Sequence, residues 1–243
     1  MANLKVPSLQ HLSRNWRPTP ERVQRTLVKL VKHSPTFSYD PLSSAARDLI
    51  LFKQPYNEVA EGIRRAIKRP GVRDNFLSVL PLIDSHFRNE APSYVQAVAT
   101  RFYPVGRDLL VPFTPPLVYG SGGRLKFPWF SYWRSNPLAG KTLSLFVTVV
   151  DEVRRQDPDL EDADFQILDF SVPKGGKRRE LVVINACDVP RLSEPEMREM
   201  LAIFADGFLR AKAELASGGS GPGKREGKKR EAPPPDHLDL FDQ

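Results

Sequence analysis

Asp169 and Glu180 are the nearest this sequence comes to a catalytic pair. They lie on two consecutive strand-like runs, and carboxylates brought together on paired strands could hold a divalent cation for phosphodiester cleavage. The lysine two residues beyond the glutamate that would complete a common metal-nuclease arrangement is missing, because Val182 stands there. His11, His33, His86 and His237 are too scattered along the chain for a ligand set. Cys187 is the sole cysteine, which excludes an internal disulfide and a cysteine-rich metal site, and it is expected to pack at a strand end. There is no Gly-x-x-x-x-Gly-Lys-Ser/Thr phosphate loop and no Ser or Cys nucleophile motif. The expectation is a protein with no catalytic constellation and no cofactor, whose chemistry is binding.

Two internal features could bind. Arg22, Arg25, Lys29 and Lys32 recur at three- and four-residue steps, which on a helix makes a continuous basic stripe able to track phosphates or simply to face water. Phe127, Trp129, Phe130, Tyr132 and Trp133 crowd together beside Arg124, Lys126 and Arg134. Aromatics between cations could stack on bases, but alternation into a core explains them better.

The elements that must position these residues divide the chain by character. Its 243 residues, 40% hydrophobic, suffice for a sizeable core, and no apolar run reaches the ~20 residues of a membrane span. The N-terminus has no signal-peptide pattern, and with one cysteine this suggests a cytoplasmic protein. Charge is uneven. Residues 1–134 hold 20 Lys+Arg against 9 Asp+Glu, a net of +11, whereas residues 135–216 carry a net of −4. Such a basic half would attract DNA, RNA or an acidic protein surface.

Thr19-Pro20-Glu21 reads as a helix start, with Val23, Leu27, Leu30 and Val31 on the inner side of a helix running to about His33. Further helices are expected near 41–53, 57–69, 74–90 and 92–102, without a clear recognition-helix pattern. Beyond Gly106 the runs Leu109–Phe113, Leu117–Tyr119 and Leu125–Trp133 favour strands. Leu143–Arg155 suits either strand or helix. Phe165–Phe170 and Glu180–Ile184 form an antiparallel hairpin, and Ser193-Glu194-Pro195-Glu196 opens a last helix burying Met197, Met200, Leu201, Phe204 and Phe208. The expected class is α+β: N-terminal helices, then a small antiparallel sheet and a C-terminal helix within a folded domain 1–216, its basic helical half 1–105 and its sheet-containing half 106–216.

Residues 217–236 read as a Gly/Ser/Lys/Pro linker with no Leu, Ile, Val, Phe, Tyr, Trp or Met. After it come Leu238, Leu240 and Phe241. Apolar side chains at the end of a solvated tether, spanning roughly 25 Å root-mean-square as a flexible coil, have no core of their own and need a groove.

His237-Leu238-Asp239-Leu240-Phe241 resembles the short peptide by which bacterial replication and repair proteins dock on the DNA polymerase sliding clamp (its beta subunit). The family pattern is Gln, Leu, Ser or Asp, Leu, Phe, and His237 is the one departure. The resemblance implies that Leu240 and Phe241 enter a deep apolar pocket with Leu238 at its rim. An imidazole in place of the Gln amide keeps a donor and an acceptor but is shorter. Small size, no evident chemistry and a clamp-docking tail are similar to SocB-type toxins of toxin–antitoxin systems. These inhibit replication by occupying the clamp and are delivered to a protease by an antitoxin. The resemblance therefore implies the clamp as partner, an antitoxin as a second one, at most weak DNA contact, and a place at the replisome or nucleoid. A clamp-tethered DNA-processing or repair enzyme, or a DNA-binding accessory factor using the basic half, is the alternative.

Overall fold

A computed structural model describes residues 4–33, 37–106 and 109–217. The expected linker beyond Ser217 and the peptide His237–Phe241 lie outside the described residues.

The chain opens with α1 (Leu9–Asn15) and α2 (Pro20–Lys32). The expected start of α2 is realised: Pro20 takes the first turn, and Thr19 Oγ1 accepts from Arg22 N at 3.4 Å. Three helices follow, α3 (Asp40–Ile50), α4 (Tyr56–Ala66) and α5 (Pro70–Glu90). Ala91, left-handed at φ 44°, ends α5, and Pro92 prevents its resumption. The helix expected over 92–102 is therefore not formed. Its place is taken by β1 (Tyr94–Gln96) and the start of β2 (Arg101–Pro104). Tyr94 and Val95 pair with Gly120 and Tyr119, so ladder bonding and β-branched packing prevail over a weak helical period.

β3 (Leu110–Phe113) pairs with β2 in a separate two-stranded sheet. β4 (Val118–Ser121) and β5 (Arg124–Ser131) form a hairpin through Gly122-Gly123, both at positive φ. α6 (Lys141–Arg155) then carries the chain across to β6 (Asp164–Asp169), which lies parallel to β5. β7 (Val182–Asn185) returns antiparallel to β6, as the hairpin reading requires. The main sheet has the order β1-β4-β5-β6-β7, and its single parallel pair makes it mixed rather than wholly antiparallel. That pair follows from α6: a parallel neighbour needs a crossover, and the ambiguous run 143–155 supplies it as a helix. Its Phe146-Val147-Thr148-Val149-Val150 segment looks strand-like because every one of those side chains is buried, which erases the polar face of an amphipathic helix.

Alternation along the strands divides two cores across the sheet. Phe127 and Trp129 of β5 and Phe165 and Ile167 of β6 face α1, α2, α6 and the last helix, α7 (Glu194–Ser217). Phe130, Tyr132, Leu168 and Phe170 face α3, α4 and α5 through Leu42, Ala46, Phe76, Leu80 and Ile83. The aromatic cluster is thus core, in the expected alternation. α7 starts with a reciprocal capping box, Ser193 N to Glu196 Oε2 at 3.3 Å and Glu196 N to Ser193 Oγ at 3.5 Å. Its expected inner residues, Met197, Met200, Leu201, Phe204 and Phe208, are all buried. α7 lies tightly against α2. A Cβ on Gly207 would stand 2.5 Å from Val23 Cβ and 2.7 Å from Pro20 O, so only glycine permits this approach.

Candidate functional site

Burial of Val23, Leu27 and Val28 fixes the rotation of α2 against α7. Arg22, Arg25, Lys29 and Lys32 are left fully on the outside, and all four are exposed. Successive turns place them within about 80° of arc and along roughly 15 Å of axis, so the stripe is continuous in space. Arg25 Nε donates to the Glu21 carbonyl at 3.3 Å. The flank of the stripe is acidic: Glu21 meets Arg210 at 2.5 Å, and Glu214 accepts from Gln24 Nε2 at 2.8 Å. α2 thus offers a linear cationic edge, an arrangement that can follow a polyanion backbone.

The carboxylates Asp169 and Glu180 differ in burial, the first buried and the second exposed. Asp169, buried at the end of β6, accepts from Ser171 N at 3.1 Å, Ser171 Oγ at 3.0 Å and Asn136 Nδ2 at 2.9 Å. Burial raises its pKa, and these hydrogen bonds oppose the rise. Glu180 is exposed, and its backbone N–H donates to Ser171 O at 3.1 Å. Asp169 holds the turn after β6. Among the described residues, no group of three or more His, Cys, Asp or Glu is placed to hold a metal ion. Cys187 does not pack at a strand end as expected. The chain leaves β7 in a single 3-10 turn (Ala186–Asp188) that buries Ala186 and turns the Cys187 thiol outward.

Two features escape sequence reading. Arg179, in the basic run Lys177-Arg178-Arg179, is buried, and its guanidinium forks to the carbonyls of Trp133 at 3.1 Å and Phe170 at 2.6 Å and to Asn75 Oδ1 at 2.6 Å. It joins α5 to the end of the sheet.

The other is a cavity of about 440 Å3 beyond the carboxyl end of β5. Trp129, Tyr132 and Trp133 wall it from the sheet, Tyr39 and Ser43 from α3 and its approach, and Gln10 and His11 from α1. Arg47 and Asp40 stand at its exposed rim. His11 meets the edge of Trp133 at 5.6 Å between ring centroids. Burial, and after it the neighbouring Arg14 charge, holds the His11 imidazole down at about 3, so it is neutral at physiological pH. Burial pushes the Tyr132 hydroxyl up, and it too is neutral. Gln10 Oε1 and His11 Nδ1 are buried without a hydrogen-bond partner among the described residues. Leaving such an atom unsatisfied costs about 1–3 kcal/mol. The one sequence signal was the aromatic cluster itself, whose side chains serve both as core and as cavity wall.

No family model matches the chain, and no curated protein matches it. No described helix is long and apolar enough to cross a membrane.

Proposed function

We propose that this protein inhibits DNA replication by docking His237–Phe241 in the peptide groove of the polymerase sliding clamp and competing there with the clamp's other partners. The observation that carries the reading is the peptide itself, four of five positions matching the clamp-binding pattern, placed beyond twenty residues that offer nothing to bury. The fold is compatible with it. Both cores are closed by side chains between Leu4 and Ala211, and α7 ends on the exposed residues Ala216 and Ser217, where the tail departs. Burying two leucines and a phenylalanine contributes about 5–9 kcal/mol before the cost of association, so docking no tighter than micromolar, about 8 kcal/mol net, is expected. A binder of that strength inhibits by abundance, so its effect follows the ratio of its copies to those of the clamp. Control by an antitoxin that hands the chain to a protease is part of the same proposal.

Growth after induction tests it. The intact chain should arrest replication, overproduction of the clamp should relieve the arrest by mass action, and Leu240→Ala with Phe241→Ala should abolish it. Retained toxicity in the double variant would remove the tail from the toxic action.

The exposed stripe Arg22, Arg25, Lys29 and Lys32 favours a second reading, an accessory factor that holds DNA while the tail holds the clamp. Each phosphate contact should then add about 0.9 to the slope of log affinity against log salt on duplex DNA. A slope near zero would leave the stripe as a solvated helix face.

A further inference from the structure

We propose that the cavity beyond β5 is a binding site for a neutral, planar heteroaromatic ring of the nucleobase type, presented either by a free nucleoside or nucleotide or by a base of a single strand. Size is the first reason. About 440 Å3 lies within the range of small-molecule sites and admits one base with part of its sugar. Wall chemistry is the second. Trp129, Tyr132 and Trp133 line it, and aromatic side chains are favoured partners for flat π-systems.

The polar groups narrow the class further. Gln10 and His11 are each 8% exposed, they line the cavity together, and Gln10 Oε1 and His11 Nδ1 have no hydrogen-bond partner among the described residues. An amide and a neutral imidazole between them offer both donors and acceptors, the combination that a base edge complements. The nearest cations, Arg14 over the Trp133 ring at 4.9 Å and Arg47, are not among the buried wall residues, and both disfavour a cationic ring beside them. The charged residues stand at the mouth, where Arg47 and Asp40 are exposed and of opposite sign. The ring belongs inside and any phosphate outside, next to Arg47. This site is independent of the tail and holds whether or not the clamp is the tail's partner.

The test titrates the full chain with the four deoxynucleosides, their monophosphates and short single-stranded DNA. It reads tryptophan emission, since Trp129 and Trp133 are two of only three tryptophans. Saturable binding of at least one of these probes below millimolar concentration is expected. Gln10→Ala or His11→Ala should weaken it about tenfold. Ser43→Phe, at a half-buried position of α3 that lines the cavity, fills the space without emptying the core and should abolish binding while thermal unfolding stays cooperative. Monophosphates that bind more tightly than nucleosides, with Arg47→Ala removing that advantage, identify the free ligand as the source. Binding of strands alone, still lost in Ser43→Phe, identifies a single strand. No sub-millimolar binding by any probe, or binding that survives Ser43→Phe, overturns the proposal and leaves a cavity that holds water only.

Discussion

Arg179 shows how misleading a residue's neighbours in sequence can be. Lys177 and Arg178 are exposed, whereas the next residue buries a charge and satisfies two carbonyls and a side-chain amide with one planar fork. Arg179→Ala should cost roughly 2–4 kcal/mol, because it removes charge-assisted bonds and strands their buried acceptors. Arg179→Lys should recover only part of that, since an ammonium cannot fork. Urea unfolding of the two variants checks the ranking, and equal stability of all three proteins would contradict it. His11 makes a pH prediction. Its folded pKa, near 3, lies below the 6.5 of the unfolded chain, so the unfolded state binds more protons between those values. Stability is therefore full above about 6.5 and falls on acidification, by on the order of 1 kcal/mol per pH unit. His86, also depressed by burial, adds a contribution of the same sign. Urea midpoints at pH 7 and pH 5 should differ accordingly, and His11→Gln should flatten the slope. Neither role was legible in the sequence. Both arise from burial by segments distant in the chain, which no local pattern reports.

Elements were legible where a local signal and the tertiary environment agree. α2 and α7 have their cap residues, their prolines and their apolar faces where the sequence places them. The β6–β7 hairpin likewise follows from alternation and a glycine-containing turn. α1 gave no such signal: it is seven residues long, has no side-chain cap, and is held by burial of Leu9 and Leu12. At 92–102 the decisive fact was the partner strand β4, which lies more than twenty residues away. The packing of α2 on α7 supplies a test at this scale. Gly207→Ala gains helix propensity but forces its Cβ onto Val23 and the Pro20 carbonyl, and overpacking should prevail by about 1–3 kcal/mol. Val23→Ala in the same chain should recover part of the loss. A Gly207→Ala protein that melts at or above the wild-type temperature would show that the two helices can move apart freely.

At the scale of the molecule, one α+β domain combines a two-sided core, a basic outer helix and a mixed sheet with a cavity at its end. The proposed function depends on none of these for its anchoring contact. It depends on a peptide tethered to the end of α7, and the domain contributes bulk, charge and the cavity. His237→Gln moves the peptide to the family pattern and should strengthen docking several-fold, by restoring the longer amide. The most direct measurement of the central claim is a fluorescence-anisotropy titration of purified sliding clamp against the intact chain, beside Leu240→Ala with Phe241→Ala. The intact chain should saturate at micromolar clamp, and the double variant, its domain still folded, should show no binding in the same range. Equal affinity of the two proteins would contradict docking through Leu240 and Phe241, and absence of binding by both would contradict the clamp as partner.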